Sequence, residues 1–218
     1  VCSGLAASAA RYPEVVAVTG PGERMTYGQM WTQTDALAAG LRAHGLSEDT
    51  TVGVLCRNSP MFVRALIASA KLGATVVLLN TAMSGPQLDD VVAAESITAV
   101  LGDTDLVGLL SSRPDVECFD GERLRGLIGA LHTRRLAPPQ RESKLVILTS
   151  GTTGTPKGAA RSSGANALDA AASVLSSIPF RLRDTLVIPA PFFHAWGLNG
   201  LLLGLGMSAT IVTTPAFS

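Results

Sequence analysis

Residues 145–160 read LVILTSGTTGTPKGAA. An apolar run ends at Leu148. Beyond it Thr149, Ser150, Thr152, Thr153 and Thr155 bring hydroxyls, Gly151, Gly154 and Gly158 bring backbone freedom, and Lys157 follows Pro156. The apolar run predicts a buried strand, and ligands of open α/β sheets bind just beyond the carboxyl ends of such strands. Glycine accepts positive φ and lets a ligand approach the backbone. Successive amide N–H groups turned inward make a concavity for anions. Hydroxyls add donors, and an ammonium is a point charge suited to phosphate. Together these groups can bind a polyphosphate. A merely flexible surface loop is the plain alternative. It is disfavoured by a strand, this density of hydroxyls and a Pro-Lys-Gly occurring together.

The loop is not of the P-loop type, which needs Gly directly before the lysine and Ser or Thr directly after it. Pro156 and Gly158 hold those places. A second stretch with chemical potential is PAPFFHAWGL, residues 189–198, where His194 lies among apolar residues. A lone histidine is more often a satisfied core or surface residue than a working one. Trp196 and Gly197 are read almost as well as simple packing.

The elements that must position these residues alternate. MTYGQMWTQTDALAAGLRAHG carries Tyr27, Met30, Trp31, Leu37, Ala38 and Leu41 at helical spacing. Thr26 with Gln29 predicts a capping box, and Gly45 a left-handed stop. TVGVLC (51–56) reads as a strand, Ser59 and Pro60 open a helix that Gly73 ends, and TVVLLN (75–80) is a strand buried on both faces. Ser84 and Gln87 open a helix through about Ala94, followed by the strands TAVLGD and KLVILTS. Residues 132–144 contain two prolines and several basic residues, and read as a solvated connection. NALDAAASVLSS reads as a helix, and TLVIPAP and ATIVTT as strands beginning a second sheet. The fold class is therefore α/β: a doubly wound, mostly parallel sheet flanked by helices, with an incomplete second α/β lobe.

The chain of 218 residues has 17 basic and 17 acidic side chains, which gives no sign of a nucleic-acid surface or an acidic partner. Cys2, Cys56 and Cys118 are odd in number and widely spaced, so reduced core thiols of a cytoplasmic protein are expected, without a zinc site. No leader pattern is visible from Val1 onward. Residues 192–214 are long enough for a membrane span. However, they include His194, Asn199 and four glycines and end in a β-branched run, so a buried helix, a turn and a strand are expected.

LTSGTTGTPKG closely resembles the signature of the acyl-adenylate-forming superfamily, which includes acyl-CoA synthetases, luciferases and peptide-synthetase adenylation domains. The resemblance continues through residues 25–80, where a TY-led helix, a strand ending near Asn58 and KLGA before an apolar strand occur in family order. PAPFFHAWGL is similar to the next family motif, beside the carboxylate pocket. Leu78 replaces a proline common in the family, and Ser163 a histidine.

The resemblance implies a ligase that activates a carboxylate with ATP and Mg²⁺ through an acyl-adenylate and passes the acyl group to a thiol, usually that of coenzyme A. It assigns the phosphates to Thr149, Ser150, Gly151, Thr152, Thr153, Gly154, Thr155, Lys157 and Gly158, and the acid to His194, Trp196 and Gly197, His194 being the carboxylate-site candidate. Amino-acid-activating relatives place an Asp near this motif to pair with the substrate ammonium. PFFHAWGL has no acidic residue, so a fatty or other non-amino acid is expected. The family's Tyr-Gly-x-Thr-Glu and Thr-Gly-Asp motifs and its mobile C-terminal domain have no counterpart in the sequence, nor does the domain's adenylation lysine. Residues 1–218 are thus expected to be part of an N-terminal adenylation domain. In that reading about 47–180 form a first lobe, and 1–46 and 181–218 parts of the second. No catalytic set is complete, the metal ligands lie elsewhere, and the piece alone is expected to be inactive and prone to self-association. A carrier-protein-loading acyl–AMP ligase and a stand-alone nucleotide- or acyl-binding module are the alternatives. A cytoplasmic setting is expected, with peripheral membrane association left open.

Overall fold

The computed structural model describes residues 2–20, 22–110, 113–130, 137–149, 157–161 and 180–214, with only the backbone of 149 and 157–161. In chain order the strands are β1 (Val16–Gly20), β2 (Glu23–Thr26), β3 (Thr51–Leu55), β4 (Thr75–Leu78), β5 (Ala99–Gly102), β6 (Glu117–Phe119), β7 (Leu145–Thr149), β8 (Lys157–Arg161), β9 (Thr185–Ile188) and β10 (Thr210–Thr213). The α-helices are α1 (Cys2–Arg11), α2 (Tyr27–Ala43), α3 (Pro60–Lys71), α4 (Gly85–Ala94), α5 (Thr104–Val107), α6 (Gly121–Gly129) and α7 (Ala195–Gly206).

Two sheets result. A six-stranded sheet has the order β6-β5-β3-β4-β7-β8, parallel except for β8. A four-stranded sheet has the order β2-β1-β10-β9, parallel except for β2. The doubly wound α/β class expected from the alternation of elements is the architecture found. The helix and strand expected over 192–214 are α7 and β10, and among the described residues no helix is long and apolar enough to cross a membrane. The helix expected over 166–177 lies outside the described residues.

The strand period of two sorts the central side chains by face. Val52, Val54, Val76, Leu78, Ala99 and Leu101 join the cluster containing α2 and α3, while Leu55, Val77 and Val100 join Leu88, Val91 and Val92 of α4 on the other face. Ala17, Val18, Ile188 and Ile211 of the four-stranded sheet belong to the α2–α3 cluster as well. Helix α3 is therefore a shared core element, buried at every position from Pro60 to Ala70 except Met61. Two charged residues of α3 tie the layers together. Arg64 pairs with Glu23 of β2. The Lys71 ammonium reaches Asp35 (2.7 Å), Thr34 (2.7 Å) and the face of Trp31 (3.4 Å to the centroid).

The expected punctuation is present. The Thr26 hydroxyl accepts from the Gln29 amide (3.2 Å), and Gln29 accepts from the Thr26 amide (2.9 Å). Ser59 accepts from the Phe62 amide at 3.2 Å. The Gln87 side chain accepts from the Ser84 amide at 2.9 Å. Gly45 and Gly73 turn with φ of +88° and +77°. Residues 137–142 run largely exposed, tacked down by Arg141 to Asp49 and by the Gln140 amide to Glu48 (2.8 Å).

Burial raises the thiols of Cys2 and Cys118 above the usual 9.0, and that of Cys56 well above it. Burial likewise raises the Tyr27 phenol above 10.0. Groups raised by folding contribute stability that is complete below their unfolded value and lost as pH climbs past it. Lys71, lowered from 10.5 chiefly by desolvation, acts in the opposite sense between its folded value and 10.5. With three thiols and a phenol against one lysine, stability is expected to fall from about pH 9 upward. Denaturant titrations of the wild type and Cys56→Ala across pH 8–10.5 check this. The variant's alkaline slope should be shallower by about 1.4 kcal/mol per pH unit, the value for one proton.

Candidate functional site

Strands β3, β4 and β7 are parallel neighbours, so their carboxyl ends share one edge of the sheet. Adjacent strands lie about 4.8 Å apart, which puts the end of β7 about 10 Å from the end of β3. Thr149 is the last residue of β7 and pairs in register with Lys157, the first residue of β8. Lys157 and Gly158, read from the sequence as loop, are thus the opening of an antiparallel strand. The connection between the two strands narrows to 150–156. Ser150, Gly151, Thr152, Thr153, Gly154 and Thr155 lie outside the described residues. Their two flanks are pinned by ladder positions Leu148–Gly158 and Thr149–Lys157.

The second candidate stretch comes to the same edge by a route that sequence reasoning missed. Asn58, three residues after β3, is 6% exposed and spends its amide on backbone far away in sequence. Its Nδ2 donates to the carbonyls of Ala190 (2.9 Å) and Ile188 (3.4 Å), and its Oδ1 accepts from the Phe192 amide (2.8 Å). Phe192 is buried against Phe62, with ring centroids 5.2 Å apart. The end of β9 and the start of α7 are thereby fastened to the carboxyl end of β3. The available signal was a polar residue between a largely buried strand and a capped helix.

His194 is the N-cap of α7, exposed, with its ring 4.5 Å from that of Phe193. Trp196 is 73% exposed. Gly197 is buried, and a Cβ there would lie 2.3 Å from the Pro191 carbonyl oxygen and 2.6 Å from that of Ala190. The first turn of α7 can pack on residues 190–191 only because position 197 has no side chain. His194 and Trp196 are exposed on the same turn.

The sheet's other natural crevice carries an ion-pair cluster. The chain leaves β3 toward β4 and leaves β5 toward β6, so its connections diverge between β3 and β5, the usual place for a ligand. There Arg57 donates to Asp103 from its amide (3.0 Å) and from its guanidinium (3.1 Å), and to Asp105 at 2.6 Å. Hydrogen bonding to Arg57 holds the Asp105 carboxyl below its ordinary value. These three side chains form an ion-pair cluster at the mouth of that crevice. An open cleft of about 370 Å³ lined by Arg42, Glu48, Asp49 and Pro139 lies at the amino end of β3, away from the candidate residues. Among the described residues no three His, Cys, Asp or Glu side chains gather to hold a metal.

Residues 5–218 match the family described as AMP-binding enzyme. Over 207 residues the chain is 29% identical to the long-chain-fatty-acid–CoA ligase FadD13 of Mycobacterium tuberculosis, covering 89% of this chain and 40% of that protein. It is 29% identical to the indoleacetate–CoA ligase of Aromatoleum aromaticum, covering 94% and 43%. The fold matches the inhibitor-bound N-terminal domain of FACL13 from M. tuberculosis with a TM-score of 0.86 at 27% identity, over 99% of this chain and 57% of that one. It also matches Bacillus subtilis O-succinylbenzoate–CoA synthetase in complex with ATP and magnesium, with a TM-score of 0.84 at 25% identity, over 99% and 58%. The chain spans about 40% of the length of the curated relatives it matches.

Proposed function

Because the chain belongs to the AMP-binding enzyme family, we propose that it forms the N-terminal part of an ATP-dependent fatty-acid–CoA ligase working through an acyl-adenylate. The observation that carries this reading is the convergence of two stretches on one sheet edge. The Thr149–Lys157 hairpin mouth and the Asn58-held segment bearing His194 both stand beyond the carboxyl ends of parallel strands.

In this reading residues 149–158 receive the β- and γ-phosphates, and Lys157 is the loop's cation. The first step joins an acid carboxylate oxygen to the α-phosphorus while the bond to the β-phosphate breaks and pyrophosphate leaves. The amides, hydroxyls and ammonium of this stretch would stabilise the negative charge that develops on the departing pyrophosphate. In the second step a thiol attacks the acyl carbon and AMP departs. His194, Trp196 and Gly197 form the acid side. The donors of 149–158 suit phosphate oxygens. They include no carboxylate, the usual protein ligand of Mg²⁺. Magnesium would neutralise phosphate charge when bound, and no residue of this chain is assigned to it.

A fatty acid is the preferred substrate because Phe192, Phe193 and Trp196 flank His194 in the sequence and the stretch offers no acidic partner for an ammonium. The named relatives act on long-chain fatty acids and indoleacetate, which supports a non-amino acid. The 218 residues alone are proposed to lack adenylation activity. In the full-length cytoplasmic protein, Val187, 63% exposed on β9, would meet further parts of the domain.

The test is thioester formation by the full-length protein with ATP, coenzyme A and a panel of long-chain, aryl and amino acids. A long-chain acyl-CoA product is expected. Transfer only to a carrier-protein thiol, or turnover confined to amino acids, contradicts the proposal.

A further inference from the structure

We propose that Asn58 is a positioning residue that sets the spacing between the acid side and the phosphate side of the site. Its geometry stands by itself, while its kinetic consequence rests on the ligase reading above. Residues 189–191 read Pro-Ala-Pro, so two of the three lack an N–H and cannot complete a ladder. Position therefore has to come from elsewhere, and the Asn58 amide supplies it. Its Nδ2 faces two carbonyls and its Oδ1 faces an N–H, so the amide fits in one orientation only. Few side chains can replace it. Aspartate offers no donor, serine is too short to span both sides, and glutamine adds a methylene at a buried position.

The bonded segment leads directly into His194, Trp196 and Gly197, and the Leu198 amide continues the helix by donating to the His194 carbonyl at 2.9 Å. On the other side, β3 is joined through β4 to β7, the strand that ends at Thr149. One side chain thus links the acid-side turn to the rigid sheet from which the phosphate loop departs. Loosening it should leave nucleotide contacts in place and let the acid-side turn wander.

The test uses the full-length protein and the variants Asn58→Asp and Asn58→Ser. Asp35→Ala is the control, removing the Lys71 partner at the far end of α3. Each is measured for KM of the acid and of ATP in acid-dependent ATP–pyrophosphate exchange, for thermal unfolding, and for hydrogen exchange of residues 188–198. Both Asn58 variants should raise the acid KM about tenfold or more and leave the ATP KM within about twofold. Their exchange should quicken locally over 188–198. The control should unfold at lower temperature with neither change. Equal KM effects for acid and ATP, or an acid KM unchanged in spite of a lowered unfolding temperature, would reduce Asn58 to a stability residue and overturn the proposal. If the wild type shows no acid-dependent exchange, the ligase reading fails, and hydrogen exchange still decides whether Asn58 holds the segment. If neither variant folds, the wild type decides. Its Phe192 amide should be among the slowly exchanging ones, and rapid exchange there would refute the proposed clamp.

Discussion

Replacing Lys157 with alanine in the full-length protein is expected to lower acid-dependent ATP–pyrophosphate exchange by about one to two decades. That is what the loss of one charge-assisted hydrogen bond, about 1.5–3 kcal/mol, corresponds to. The fold should not suffer. Lys157 enters the sheet through backbone pairing with Thr149, and alanine can occupy the same ladder position. The thermal unfolding temperature of Lys157→Ala should therefore stay near that of the wild type while turnover collapses. Arginine should recover only part of the rate, because its planar fork is a poor substitute for a compact point charge. Exchange within twofold of wild type in the alanine variant would remove the lysine from the phosphate site.

Gly197→Ala is expected to have the largest effect on folding. Its new methyl would lie 2.3 Å from the Pro191 oxygen and 2.6 Å from the Ala190 oxygen. Both are backbone atoms, and the Ala190 carbonyl already accepts from Asn58. The first turn of α7 would have to lift away, so the cost should reach or exceed the 1–3 kcal/mol typical of about one excess methyl in a packed site. Because that turn carries His194 and Trp196, the acid KM should rise as well. Gly206→Ala in the same helix is the comparison, since nothing lies within 4 Å of the added Cβ. It should be neutral or stabilising by roughly 0.5–1 kcal/mol. Denaturant unfolding of both variants checks the contrast, and equal stabilities would contradict the packing described at position 197.

Much of the six-stranded sheet was legible because its central strands are apolar on both faces and its helices are capped locally. Thr26, Ser59 and Ser84 each mark a helix start with a partner three residues ahead. Other elements had no such local signal. Strand β2 is Glu-Arg-Met-Thr, with Arg24 exposed, and becomes a strand through its pairing with β1. Helix α6 carries Gly126 and Gly129, poor helix formers, and depends on the Asp120 cap to the Arg123 amide (2.8 Å) and on packing against α2. Strand β8 is Lys-Gly-Ala-Ala-Arg, a composition that gives little reason for a strand until β7 offers an edge.

The same distinction holds at the site. The phosphate loop could be read because its chemistry is concentrated in ten consecutive positions, 149–158. The role of Asn58 could not, because its partners lie 130 to 134 residues away. Nor could the ion-pair cluster between β3 and β5, which depends on Arg57 meeting acids 46 and 48 positions further on.

The most direct measurement is incorporation of labelled pyrophosphate into ATP by the full-length protein, with and without a long-chain fatty acid. Label should enter ATP only when the acid is present, since the nucleotide is cleaved reversibly only against a carboxylate. No incorporation under any acid, or incorporation that ignores the acid, would contradict the reading of residues 149–158 and 192–197 as two halves of one adenylating site.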